Sequence, residues 1–210
     1  MHVFLIRHGE TSLNAAGVLR GQLDVPLDET GEAEALALGE LFRGVPLSAV
    51  VSSPLTRALD TARQVCSASG APFTIDERLR DRYYGEWAGR SLEEVEERFG
   101  SIDAAPSVEA RQVFEDRAEE ALADAVAAAD AVTAVQAAAG EAGVALVTHD
   151  AVLCALLGRR FPDLDIAELK LPTGSWSELV VSPGGEQWGV VHLGEIPASG
   201  QRPCSGSAEP

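Results

Sequence analysis

Two hydrophobic rhythms alternate along the chain. Residues 3–6, 49–52 and 144–148 are short apolar runs bounded by polar or turn residues, the pattern of strands buried on both faces. Longer stretches with helical spacing lie between them. Thr30 is the expected N-cap of a helix that ends before Gly44. Pro54 opens a helix reaching about Ser69, with Gly70 as its stop. Ser91 and Glu94 read as a capping box ahead of a short helix ending near Phe99 and Gly100. Residues 107–139 read as a long helix with an apolar stripe of Phe114, Ala118, Ala121, Leu122, Ala125, Val126 and Val132, alanine-rich enough to pack closely on a sheet. Another helix begins at about Ala151. Residues 73–75 form a short strand, and two last strands, about 175–182 and 188–193, are joined by the hairpin signal Pro183-Gly184-Gly185. This alternation predicts an α/β three-layer sandwich, a mostly parallel central sheet with helices on both faces. One domain covers residues 1–196, and the Pro/Ser/Gly-rich residues 197–210 read as a disordered tail.

Polar residues with chemistry collect where strands stop. The first run ends at Arg7-His8-Gly9, the second at Ser52-Ser53-Pro54 with Arg57 just beyond, and the third long run at His149. Ligands of open parallel sheets bind outside the carboxyl ends of the strands, so these groups share one edge. A neutral imidazole nitrogen can attack phosphorus, guanidinium forks can hold the non-bridging oxygens, and an acid can protonate the leaving oxygen. Nearby arginines should lower the pKa of His8, and a backbone carbonyl on its other ring nitrogen would fix its tautomer. Blander roles compete at some positions. His149 can cap the helix that follows, Glu10 can orient an arginine, Thr11 can cap a short turn, and Arg20 can be a solvated surface arginine.

Net charge sharpens the picture. Sixteen Lys+Arg against 33 Asp+Glu give −17. Such a surface repels nucleic acid and anionic membranes, so an anionic substrate has to be drawn in by a local basic pocket. Lys170 is the only lysine, leaving arginine as the phosphate-binding cation. Cys66, Cys154 and Cys204 are odd in number and lack metal-ligand spacing; Cys66 and Cys154 read as buried thiols in a reducing compartment. The chain enters a strand at once, with no room for a signal peptide, and no apolar stretch is long enough to span a membrane, so a cytoplasmic protein is expected. Neither a Gly-x-x-x-x-Gly-Lys run nor a clustered metal-ligand set is found, and no cofactor is called for. The oligomeric state is left open, a homodimer included.

Arg7-His8-Gly9-Glu10-Thr11 with Asn14, then Ser52-Ser53-Pro54-Leu55-x-Arg57-Ala58-x-x-Thr61-Ala62, then His149, resemble in order and spacing the histidine phosphatase superfamily, over residues 1 to about 193. The nearest branch holds cofactor-dependent phosphoglycerate mutases and small phosphatases. The resemblance implies a phosphoglycerate-mutase-like fold and a phosphate pocket of Arg7, His8, Arg57 and His149, with His8 taking the phosphoryl group. It implies a phosphate contact at Asn14 and a loop bearing Arg20 that closes over the substrate. The segment Leu79-Arg80-Asp81-Arg82-Tyr83-Tyr84 resembles the one that supplies the proton donor. Asp81 then holds the place of a more usual glutamate, one methylene longer. Asp150 competes, because a His-Asp pair supplies the proton in the acid-phosphatase and phytase branch, while its plain alternative is a helix cap.

Arg82 matches a position at which the mutases bind a carboxylate, and Tyr83 replaces a histidine of theirs. Leu92 stands where they carry a substrate-binding lysine, and the segment between Gly100 and Glu109 is too short for their arginine-bearing insertion. The expected activity is therefore a metal-independent phosphomonoesterase acting on a small phosphorylated substrate. A 2,3-bisphosphoglycerate-dependent mutase and a catalytically weak phospho-ligand-binding regulator are the alternatives. Arg20, Arg82, Tyr83, Tyr84 and Trp176 are the residues expected at the rim.

Overall fold

Successive residues of a strand point to opposite faces, so an unbroken apolar run requires a cover on each side. A computed structural model, describing residues 1–135, 142–182, 184–198, 201 and 203, shows those covers. Six strands form one sheet in the order β3-β2-β4-β1-β5-β6. They are β1 (His2–Arg7), β2 (Leu47–Ser52), β3 (Phe73–Ile75), β4 (Gly143–Thr148), β5 (Trp176–Val181) and β6 (Trp188–Glu195). β5 pairs antiparallel with both neighbours and alone runs against the rest. On one face Val3, Leu5, Val144 and Leu146 pack beneath α5 (Arg111–Val135) and α6 (Asp150–Arg160). On the other, Phe4, Ile6, Ala145 and Val147 pack beneath α2 (Glu29–Leu41) and α3 (Thr56–Ser69). Burying each large apolar side chain contributes about 1.5–3 kcal/mol, which favours the unbroken apolar residues of 3–6 and 144–147, while polar Ser52 and Thr148 are buried only at the strand ends. The expected sandwich is the observed one. A satellite cluster of Trp87, Val95 and Ala105 gathers α4 (Leu92–Phe99) and, through Leu19, touches the loop that carries Arg20.

Several expected boundaries move. The N-cap of α2 is Asp28, not Thr30: its Oδ1 accepts from Gly31 N at 2.9 Å, and its own N–H is held by Glu10 O at 3.1 Å. The loop after β1 thus decides where α2 starts. The long helix begins at Arg111 rather than 107, because Ser107 sits at φ 63, a conformation no helix accepts. Its expected end at 136–139 lies outside the described residues. Ala129, 2% exposed, belongs to the buried stripe, whereas Val132 is 37% exposed. Gly70 ends α3 in the left-handed conformation, as its position suggested. Cys66 and Cys154 are half-buried rather than buried, and burial pushes both thiols up, Cys154 to about 12. Pro183 and most of the expected tail lie outside the described residues; of the tail, Ala198 and Gln201 hydrogen-bond each other. No helix among the described residues is long and apolar enough to cross a membrane.

The turn after β1 is pressed directly onto the first turn of α2. A Cβ on Gly9 would run into the backbone of Gly31, and one on Gly31 into the backbone of Glu10, both far inside van der Waals contact. Backbone atoms cannot swing aside as a side chain can, so Gly31→Ala should lower stability by roughly 2–3 kcal/mol. Urea denaturation measures this, and an unchanged midpoint would mean the turn yields freely.

Candidate active site

Backbone bonds to both neighbouring segments fix His8 at the end of β1. Its N–H donates to Thr148 O at 3.0 Å, and its carbonyl accepts from Gly174 N at 3.0 Å. Gly9 N donates to Thr61 Oγ1 at 3.1 Å, on the helix that bears Arg57. His8 Nδ1 lies 2.6 Å from Gly9 O, which can only accept, so Nδ1 carries the proton and Nε2 the lone pair. Arg57 Nε, which can only donate, meets that lone pair at 3.2 Å. The ring is fully buried. Its pKa falls well below the usual histidine value, first by desolvation and then by the charges of Arg57, Arg7 and Arg20.

Arg57, on the first turn of α3, is fully buried. Besides His8 it donates to Leu23 O and Gly21 O, each at 2.8 Å, and to Asp81 Oδ2 at 3.3 Å. The Arg20 loop and the Asp81 segment therefore converge on one guanidinium. Asp24 fastens the same loop to α3, accepting from Thr56 N at 2.7 Å and Thr56 Oγ1 at 2.9 Å.

His149 is the N-cap residue of α6, but its side chain makes no capping bond. Nε2 instead sits 2.8 Å from Ser53 Oγ, and its ring centroid lies 5.1 Å from that of His8. Ser53 Oγ also accepts from Leu55 N at 3.4 Å, and its hydroxyl can either donate to His149 Nε2 or accept from it. Nδ1 is buried and has no partner among the described residues. Arg7 Nε and Arg20 Nε are in the same condition. The charges of Arg57, Arg20 and Arg7 all lower the pKa of His149 after burial has done so.

Asp81 is 3% exposed, and burial raises its pKa against the opposing pull of Arg57 and Arg20. Its segment is clamped by Arg117 of α5, which donates to Arg78 O at 2.6 Å, Arg80 O at 2.7 Å and Asp81 O at 3.0 Å. Glu109 holds Arg117 from the other side at 2.8 Å. Sequence reasoning missed Arg117, Ser53 and Thr61; only the Ser53 and Thr61 positions within the Ser52–Ala62 motif gave any signal.

The remaining expected residues are less central. Asn14 and Thr11 form the capping box of the single turn α1 (Ser12–Ala15), with Thr11 Oγ1 donating to Asn14 Oδ1 at 2.8 Å, so only the Asn14 amide NH2 stays available to a ligand. Asp150 is the first residue of α6 rather than its cap; its carboxylate is 3.5 Å from Arg7 Nη1 and 42% exposed. Arg7 Nη1 also donates to Leu171 O. Arg82 is not free to hold a substrate carboxylate: Nε and Nη2 donate to Glu109 O, and Nη2 pairs with Asp103 at 2.6 Å. Tyr83 is exposed at 51% and joined to Glu109 only through its backbone. Trp176 leaves the rim altogether, because strand alternation turns it into the core against Phe42.

Holding two histidines neutral has a sign that can be measured. Below about pH 6.5 the unfolded chain takes up protons on His8 and His149 that the folded chain refuses. Stability therefore drops as pH falls, by up to ~1.4 kcal/mol per pH unit for each. Asp81 acts the other way, adding stability as pH falls through its raised pKa. Urea midpoints should decrease from about pH 7 to about pH 5.5, and His8→Gln with His149→Gln should flatten that slope. Equal slopes in the two proteins would show that the histidines are not kept neutral.

A family model described as Histidine phosphatase superfamily (branch 1) matches residues 3–195. A glucosyl-3-phosphoglycerate phosphatase of Mycolicibacterium vanbaalenii is 41% identical over 92 residues, 44% of this chain and 41% of the relative. A probable phosphoglycerate mutase GpmB of Citrobacter koseri is 38% identical over 133 residues, 59% of this chain and 62% of the relative. Each alignment thus spans less than two thirds of the relative. Among solved structures, a mycobacterial glucosyl-3-phosphoglycerate phosphatase is similar at TM-score 0.77 and 25% identity, covering 92% of this chain and 98% of that one. The alpha-ribazole phosphatase from Shigella flexneri is similar at TM-score 0.75 and 26% identity, covering 96% and 100%. The site geometry and the extent of the family match lead to one statement: this chain belongs to the histidine phosphatase superfamily, branch 1.

Proposed function

We propose that the protein is a metal-independent phosphomonoesterase that hydrolyses a small phosphorylated substrate through a phosphohistidine on His8. The observation that carries this reading is the set of buried nitrogens left without partners around a neutral histidine: Arg7 Nε, Arg20 Nε and His149 Nδ1. Buried polar nitrogens are costly unless satisfied; a phosphoryl group brings acceptor oxygens for the two guanidinium N–H groups, and for His149 Nδ1 in the tautomer that carries its proton there. Arg57 Nε now bonds the His8 lone pair. A phosphoryl oxygen is the stronger acceptor for a guanidinium, so its arrival frees Nε2 for in-line attack.

In the first step His8 Nε2 forms a bond to phosphorus while the ester oxygen departs with its bonding pair and takes a proton from Asp81. In the second, Asp81 as carboxylate accepts a proton from water, whose oxygen attacks phosphorus and releases His8. The raised pKa of Asp81 supplies the protonated acid, and the low pKa of His8 the free nucleophile. Names of similar proteins support a small phosphorylated substrate, glucosyl-3-phosphoglycerate and alpha-ribazole phosphate among them. The mutase reading, suggested by the GpmB relatives, is weakened by Leu92 in place of a cation and by the short 100–109 segment. We read the protein as cytoplasmic, with Asp81 rather than Asp150 as the acid, because Asp150 is half-exposed and faces Arg7.

Two measurements test this. Excess chelator should leave hydrolysis of an aryl phosphate unchanged; a rate that collapses and returns with a divalent metal would remove the mechanism. Asp81→Asn should slow alkyl phosphates by roughly a hundredfold or more while sparing an aryl phosphate with an acidic phenol, which leaves without a proton. Wild-type kcat/KM for the alkyl ester should fall as pH rises through the raised Asp81 pKa, and the aryl ester should lack that limb. If Asp150→Asn shows the leaving-group dependence instead, the acid is misassigned.

A further inference from the structure

The carboxyl group of Asp81 is carried by a stretch of chain that no regular structure supports. The turn Glu77–Leu79 ends just before it, and residues 80–84 belong to no helix or strand. Aspartate has only two side-chain torsions, so its carboxyl goes where the backbone takes it. That backbone is fixed by a row of carbonyls satisfied by side chains. Arg78 O, Arg80 O and Asp81 O accept from Arg117 at 2.6, 2.7 and 3.0 Å. Leu79 O accepts from Thr148 Oγ1 at 2.8 Å, and Asp81 O accepts a second time from Gln22 Nε2 at 3.1 Å. One guanidinium thus takes every carbonyl from Arg78 to Asp81 except that of Leu79.

Glu109 completes the clamp. Its carboxylate takes Arg117 Nε at 2.8 Å and Nη2 at 2.9 Å, a bidentate pairing that fixes the plane of the fork. The same residue grips the chain beyond Asp81. Tyr83 N donates to its Oε2 at 3.1 Å, its own N–H donates to Tyr83 O at 2.8 Å, and its carbonyl accepts from Arg82 Nε and Nη2. Asp81 therefore lies between two anchors that are themselves paired. Every nitrogen of Arg117 has an acceptor within the protein, so this guanidinium is not built to receive a substrate. After desolvation, the charges that act most on the Asp81 carboxyl are those of Arg57 and Arg20, not that of Arg117.

We propose that Arg117, held by Glu109, is a positioning residue for proton transfer: it sets the Asp81 backbone and, through it, the reach of the acid to the ester oxygen. This rests on the phosphomonoesterase reading with Asp81 as the acid, and adds to it a residue of α5 that acts only through Asp81. A proton donor works within hydrogen-bond reach of the leaving oxygen, and a misplacement of about 1 Å can cost roughly a hundredfold in rate. Lysine at position 117 would keep the charge but replace the planar fork with a single point. It cannot hold the three carbonyls and the Glu109 carboxylate together.

Arg117→Lys, Arg117→Met and Glu109→Gln test this on an alkyl phosphate and on an aryl phosphate with an acidic phenol, each also in the Asp81→Asn background. Both Arg117 variants should lower kcat/KM for the alkyl ester by roughly tenfold to a hundredfold, in kcat with KM little changed. The aryl ester, which leaves without a proton, should lose less than about threefold. Glu109→Gln, which keeps the size of the side chain, should show the same pattern more weakly. In Asp81→Asn the Arg117 substitutions should cost the alkyl ester no more than about twofold, because residues that act as one unit do not add. Equal losses on the two esters, a loss carried by KM, full activity in Arg117→Lys, or undiminished losses in the Asp81→Asn background would overturn the assignment and leave the phosphatase reading intact. If Arg117→Met does not fold, Arg117→Lys and Glu109→Gln decide by the same criteria. If Asp81→Asn itself lacks the leaving-group dependence, the acid reading fails and the positioning role with it.

Discussion

One desolvated cation organises the site. Stripping a guanidinium of water is tolerable only when its donors find partners, and removing a partner from such a group costs several kcal/mol. Arg57 is fully buried and draws those partners from separate stretches of chain: His8 after β1, Gly21 and Leu23 in the loop that follows, and Asp81 beyond β3. Burying Arg57 therefore forces nucleophile, loop and carboxyl group to meet. A lysine, with a compact charge and no planar fork, cannot reach the same set.

The same burial sets the protonation states. Loss of water penalises the charged form of any group, so it drives His8 and His149 toward neutral imidazole and Asp81 toward its protonated acid. Histidine and carboxyl move in opposite pKa directions for one reason. The arginines Arg7, Arg20 and Arg57 are left as the charges of the pocket, a local positive field in a strongly acidic chain. A dianionic phosphoryl group is its natural complement.

Much of this was legible in the chain because it is local. Unbroken apolar runs mark strands covered on both sides, and the residues that end them mark the edge where His8, Arg57 and His149 gather. Thr11 and Gly70 were readable because a cap depends on its own neighbours. What escaped depends on contacts distant in sequence. Asp28 displaces Thr30 as a cap because Glu10 holds its backbone, and Ser107 breaks a helical pattern that its neighbours would have continued. Arg117 looks like any polar residue of a helix, yet it clamps carbonyls of Arg78, Arg80 and Asp81. Arg82 was expected at the rim from its match to a carboxylate-binding position of the mutases, and Trp176 was expected there with it; side-chain direction sends one to Glu109 and the other into the core.

The central claim is that phosphorus is transferred to His8 Nε2. Rapid acid-free quenching of enzyme mixed with a ³²P-labelled aryl phosphate, followed by peptide mapping, tests it most directly. Acid-labile, base-stable label is expected on the peptide carrying His8 and is expected to be absent from His8→Ala. Label on a serine, or turnover persisting in His8→Ala, would contradict it.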